Sequence, residues 1–167
     1  CNFYMQLKTI ANKYGGIVNK LDFGDKGSKA LILFGTPYSV EKREIMALRC
    51  AIDIKENLGN KWQIKVGLTS SHLFSALLGC EKRREFSVMG DGINLAARLM
   101  AYCIKENVPI LVDETTFKAS RNEISFKEKG KIQVKGKSGL ISIFEPVAII
   151  EEGVKKEEKK LYGFQFL

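Results

Sequence analysis

Two apolar periods alternate along this chain, and their order restricts the fold more than any single motif. Phe3, Leu7, Ile10, Ala11 and Tyr14 recur at helical spacing, and Gly15-Gly16 stops that helix. Residues 17–21 and 29–34 read as two strands of a hairpin, joined by a polar loop over 22–28. A helix over 40–58 is expected to bury Ile45, Leu48, Ala51 and Ile52, and 63–69 with 73–78 read as another strand pair. Gly90-Asp91-Gly92 then opens a third helix, 109–112 is a short buried strand, and Asp113 caps a helical piece over 114–119. Residues 124–134 and 140–149 close the pattern as strands. The order α-β-β-α-β-β-α-β-α-β-β predicts an α+β fold with helices packed against one mixed, mostly antiparallel sheet.

With 167 residues the chain suits one domain, expected over 1–149, followed by a charged linker and an apolar tail over 150–167. Its apolar runs are short, so no membrane segment and no secretory leader are expected. Cys1, Cys50, Cys80 and Cys103 are widely spaced and His72 stands alone, which excludes a zinc set and points to a reduced, cytoplasmic protein. The net charge of +8 invites a nucleic-acid reading. However, the excess lies in mixed runs, between Lys127 and Lys137 and in Lys155, Lys156, Lys159 and Lys160, which suit a solvated surface. Gly136-Lys137-Ser138 is no P-loop, because Gly130 lies one residue too far upstream and strand-like sequence follows.

The chemistry concentrates in the third helix. Asn94 and Arg98 lie four residues apart and share a helix face. An amide beside a planar cation suits a phosphate that gains charge as it reacts. Ile93, Ala96, Ala97, Met100 and Ile104 form the adjoining apolar stripe expected to bury this helix.

Taken with Tyr14 to Lys20, Asp25 to Gly35, Val66-Gly67-Leu68, Arg84 to Met100 and Val134 to Lys137, this helix makes the chain resemble a known family. It is similar to class III nucleotidyl (adenylate/guanylate) cyclase catalytic domains, most of all to the second cyclase half of bicarbonate-responsive soluble adenylyl cyclases. The likeness runs from about Asn2 to Val147. It implies a ferredoxin-like cyclase fold, paired head to tail with a second cyclase domain in a hetero- or homodimer. It also implies conversion of ATP to cyclic AMP and pyrophosphate.

By that resemblance, Asn94 orients the ribose and Arg98 stabilises charge on the α-phosphate. Lys20 reads the adenine ring, Ser87 meets its exocyclic amine, and Lys135 or Lys137 reaches the terminal phosphates. Two Mg²⁺ or Mn²⁺ ions are implied, held by two aspartates. The first aspartate belongs to a strand preceding the helix with which this chain opens. The place of the second falls on Ser28, counting back from Phe34-Gly35. Asp22 and Asp25, in the expected hairpin loop, are weak candidates. A hydroxyl cannot balance two divalent cations, so the metal ligands are expected from a partner domain. The alternative is a catalytically degenerate domain that binds nucleotide or bicarbonate and regulates its partner.

Overall fold

The four strands at the centre hydrogen-bond in the order β3-β6-β8-β7, with β3 and β6 parallel and the other neighbours antiparallel. These are β3 (Val66–Leu68), β6 (Ile110–Asp113), β7 (Ile124–Gln133) and β8 (Leu140–Ile149). The structure is a computed structural model and describes residues 2–24, 27–80, 83–133 and 139–150. Parallel neighbours require a crossover. Here it contains the hairpin β4 (Phe74–Cys80) to β5 (Arg83–Met89) and helix α3 (Asp91–Lys105). A second hairpin, β1 (Ile17–Gly24) to β2 (Gly27–Leu33), lies between α1 (Asn2–Lys13) and α2 (Arg43–Leu58). The short α4 (Glu114–Ser120) links β6 to β7.

Both faces of the central sheet are covered, and β6 is buried at every position. Leu111 and Ile143 pack with Leu95, Leu99 and Cys103 of α3, while Val112 and Phe144 pack with Leu48 of α2 and Ile124. A third cluster joins Leu7 and Ala11 of α1 to Cys50, Ile54 and Leu58 of α2, with Val18, Leu21 and Ile32 of the first hairpin against it. Gly15 ends α1 as expected. Its φ of 78° suits a residue without Cβ, and the Gly16 and Gly15 amides donate to the Ala11 and Asn12 carbonyls.

The α+β class holds, but four details differ from the sequence reading. First, 63–69 and 73–78 do not pair: β3 lies beside β6, and β4 pairs with β5, which was not foreseen as a strand. The β4 residues are exposed on both sides apart from the half-buried Ala76, so no buried face imposes the alternation that reveals a strand. Second, the strands form one central sheet and two separate hairpin ribbons, not one continuous sheet. Third, the first hairpin is tighter than expected, with Asp22 inside β1 opposite Lys29 and Ser28 inside β2 opposite Phe23.

Fourth, the buried stripe of α3 is Gly92, Leu95, Leu99 and Cys103. Of the expected stripe, Ala97 is exposed and Ile104 is 62% exposed. The true stripe is displaced by one residue, a rotation of about 100°. The residues that select it, Gly67 and Gly92, carry no side chain and so add nothing to an apolar count.

Candidate active site

Helix α3 carries Asn94 and Arg98 and is seated at three points on β3 and the segment that follows it. At Gly67 the helix backbone comes so close that a Cβ would run into the Ala96 carbonyl oxygen and lie 2.5 Å from the Met100 nitrogen. Near its start, the Thr69 hydroxyl donates to the Gly92 carbonyl at 2.9 Å, and a Cβ on Gly92 would overlap the Ser71 hydroxyl. Near its end, the Cys103 thiol donates to the Val66 carbonyl at 3.3 Å. Asn94 and Arg98 therefore project from the outer side of a helix fixed along its length, and both are exposed. Beside Arg98 is an open groove of 590 Å³, lined also by Tyr102, Lys105, Lys131 and Gln133. The Lys105 ammonium stands 5.6 Å from the Tyr102 ring centre. This side of the helix is cationic, as a phosphate-bearing ligand requires.

The hairpins that carry Lys20 and Ser87 are tied to each other by a different device. In a regular strand, residues 18 and 20 share a face. Here the β1–β2 register shifts between Val18 and Lys20, leaving Asn19 as the extra residue of a β-bulge. Val18 and Leu21 consequently both pack against the α1–α2 cluster. Lys20 takes the outer face with Asp22, its Nζ lying 3.7 Å from the Asp22 carboxylate. The Asn19 side-chain amide donates to the Phe86 carbonyl at 3.0 Å, immediately before Ser87. Ser87 is half-buried opposite Ala76 in the second hairpin. From Ser87 the chain runs through Gly90 into α3, so one continuous stretch carries three of the expected site residues. Sequence reasoning missed Asn19, Gly67 and Thr69. The doubled apolar phase at Val18 and Leu21 was the available signal for the first.

Residues 6–145 match the family model of the adenylate and guanylate cyclase catalytic domain. The chain belongs to that family. Among curated relatives, human adenylate cyclase type 10 is 33% identical over 140 residues, covering 80% of this chain and 8% of the relative. The rat protein of the same name is 28% identical over 170 residues, covering 98% of this chain and 10% of the relative. The chain thus spans about a tenth or less of the length of these two relatives. The structure of the adenylyl cyclase CyaB from P. aeruginosa superposes with a TM-score of 0.71 at 22% identity, covering 88% of this chain and 79% of that one. The guanylate cyclase domain of RhGC from Catenaria anguillulae, in complex with GTP, gives 0.73 at 19% identity, covering 89% and 81%. These structures share the cyclase fold.

Class III cyclases act on nucleotides as dimers and generally depend on divalent metal. In this cyclase domain the described residues do not fit a two-cation centre. They contain no group of three His, Cys, Asp or Glu side chains placed to hold an ion. Asp22 lies within the β1–β2 ladder and its carboxylate already faces Lys20. Ser28, at the expected place of the second aspartate, offers a hydroxyl. Asp25, Lys135 and Lys137 lie outside the described residues, although β7 brings the chain as far as Gln133 beside Arg98.

Two polar clusters brace the cyclase domain behind these residues. Asp113 caps α4 as expected, accepting from the Thr116 amide at 3.1 Å and the Thr116 hydroxyl at 2.6 Å. That hydroxyl also meets Ser70 at 2.9 Å. On the other side, Asp53 of α2 accepts from Lys13 at 2.7 Å and from the Tyr14 hydroxyl at 2.8 Å, and also from Asn57. Burial pushes the Asp53 carboxyl up, but the bonds from Lys13, Tyr14 and Asn57 together hold it below its ordinary value. Burial drives the Cys50 and Cys103 thiols up to about 12 and about 11, so both stay protonated. Among the described residues no helix is long and apolar enough to cross a membrane.

Proposed function

We propose that this chain is the second half of an adenylyl cyclase active site. Asn94 orients the ribose of ATP so that its 3′-hydroxyl faces the α-phosphorus. Arg98 stabilises the charge that gathers on the α-phosphate as the new P–O bond forms and pyrophosphate leaves. Lys20 and Ser87 read the adenine, and Lys135 or Lys137 meets the terminal phosphates. The aspartates that hold Mg²⁺ or Mn²⁺ belong to a partner cyclase domain paired head to tail with this one, in the cytoplasm.

The observation that carries this reading is a mismatch within one domain. An outward Asn94/Arg98 pair, and Lys20 and Ser87 on tethered hairpins, occur in a domain whose first hairpin offers one described carboxylate, Asp22, and whose described residues include no group of three metal-ligating side chains. A lysine and a serine hydroxyl at the base positions favour adenine, because the hydroxyl can accept from an exocyclic amine. Exposed apolar side chains support pairing with a partner, since Phe74, Leu77, Leu78 and Met89 of the second hairpin are each at least half exposed. The same mismatch favours a second reading, a degenerate domain that binds nucleotide or bicarbonate and regulates its partner.

Assays of cyclic AMP formation separate the two readings. The isolated chain is expected to make little or none with Mg²⁺ or Mn²⁺. Co-expression with a cyclase domain carrying both aspartates is expected to restore synthesis in a way that depends on Arg98. Robust synthesis by the chain alone overturns the partner-supplied metal site. A pair that works equally well with Arg98→Ala favours the regulatory reading.

A further inference from the structure

We infer that Asn19 is a specificity-determining positioning residue: its hydrogen bond to the Phe86 carbonyl fixes how far Lys20 stands from Ser87. The inference rests on the reading of those two side chains as the base-reading pair. Lys20 and Ser87 belong to separate two-stranded sheets, so no backbone ladder sets their spacing. Among the described residues, the Asn19 side chain of the first hairpin bonds Phe86 of the second, and the Thr36 hydroxyl, in the segment after β2, meets the Ser75 hydroxyl at 3.4 Å. The first is shorter, half-buried and one residue from each base reader. The second is exposed and at the far limit of hydrogen-bonding distance.

The bulge gives this bond its leverage. Asn19 is the extra residue in its ladder, and the same insertion turns Lys20 away from the α1–α2 core to which Val18 and Leu21 point. One residue thus sets both the direction of Lys20 and its distance from the neighbouring hairpin. Only the donor end of the amide can serve, because the acceptor on β5 is a carbonyl. Aspartate has nearly the shape of asparagine but offers an acceptor there, so Asn19→Asp replaces attraction with repulsion at almost constant volume. Glutamine keeps the donor on a longer arm.

The test uses this chain co-expressed with a cyclase domain that carries both metal aspartates, in wild-type, Asn19→Asp, Asn19→Gln and Lys20→Glu forms. Two quantities are read: kcat/KM for ATP against GTP, and displacement of a fluorescent mant-ATP by ATP and by GTP. Melting temperature monitors the fold. Asn19→Asp is expected to lower the ATP/GTP ratio about tenfold, mainly through the KM for ATP, with Asn19→Gln recovering part of it. A purely structural role would weaken both nucleotides alike and leave the ratio unchanged. If Lys20→Glu shifts the ratio while Asn19→Asp does not, the positioning role is overturned and the base-reading pair stands. If neither variant shifts it, the base-reading pair falls and the inference falls with it.

Discussion

The two halves of the candidate site are mounted in opposite ways. Asn94 and Arg98 ride on a helix pressed into the central sheet, with Leu99 and Cys103 fully buried beneath it and its backbone in contact with β3 at Gly67. Lys20 and Ser87 sit on two ribbons outside that sheet, tied beside these residues by the Asn19 side-chain amide. The difference suits the chemistry proposed for each half. Stabilising a charge that exists only at the transition state depends on preorganised donors and loses sharply with small displacements. Recognising a base edge needs the right donor and acceptor, and it tolerates a site whose closure a partner completes.

The largest expected effect follows from the packed half. In the reconstituted pair, Arg98→Ala should lower kcat by about 10²–10³ with little change in KM, since the interaction lost is made mainly in the transition state. Steady-state kinetics of cyclic AMP formation read this directly. A rise in KM with kcat unchanged would instead make Arg98 a ground-state binder and remove the contrast between the halves.

Gly67→Ala comes next and tests the mounting itself. The added methyl meets helix backbone, which cannot swing aside as a side chain can, so overpacking should cost about 1–3 kcal/mol. Calorimetry should show a melting temperature lower by several degrees. The kinetic signature is a fall in kcat with the ATP/GTP ratio preserved, because α3 moves while the hairpins stay in place. Lys20→Glu is the converse and smaller. It should erode the preference for ATP over GTP about tenfold, leaving melting temperature nearly unchanged, since Lys20 is largely exposed. Competition kinetics check it, and unchanged selectivity removes Lys20 from the base pocket.

What the sequence revealed, and what it hid, follows the same division. The helices, the Schellman turn at Gly15, the Asp113 cap and the strands β6 to β8 were legible because each has a buried face or a turn residue with a fixed conformational role. β5 was not, since Phe86, Ser87 and Val88 within it are all half-buried and so show no alternation of buried and exposed positions. The buried stripe of α3 was misplaced by one position because contacts made by the absence of a side chain set it. Asn94 and Arg98 were recognisable as a pair regardless, since an i, i+4 relation survives any rotation of the helix. Period alone does not reveal the Asn19 bulge. A polar residue between two inward-pointing positions three apart is compatible with a loop as readily as with an inserted strand residue.

The smallest effect concerns the clamp beneath the first hairpin and asks whether acid loosens one half before the other. Asp53 ties α2 to Lys13 and Tyr14 just ahead of the turn into β1. Its carboxyl titrates below its ordinary value in the folded protein, so the stabilisation is complete above the unfolded value, about 4. It is lost as pH falls through the lower, folded value. Asp53→Asn should therefore lower the melting temperature near neutrality, and the gap from wild type should close in acid. Hydrogen exchange in the wild-type chain at low pH should show β1 amides losing protection while those of β6, buried on both faces, retain it. Simultaneous loss in both strands would mean that the hairpin and the central sheet form one cooperative unit. The weaker mounting of Lys20 and Ser87 would then be a matter of their outer surface alone.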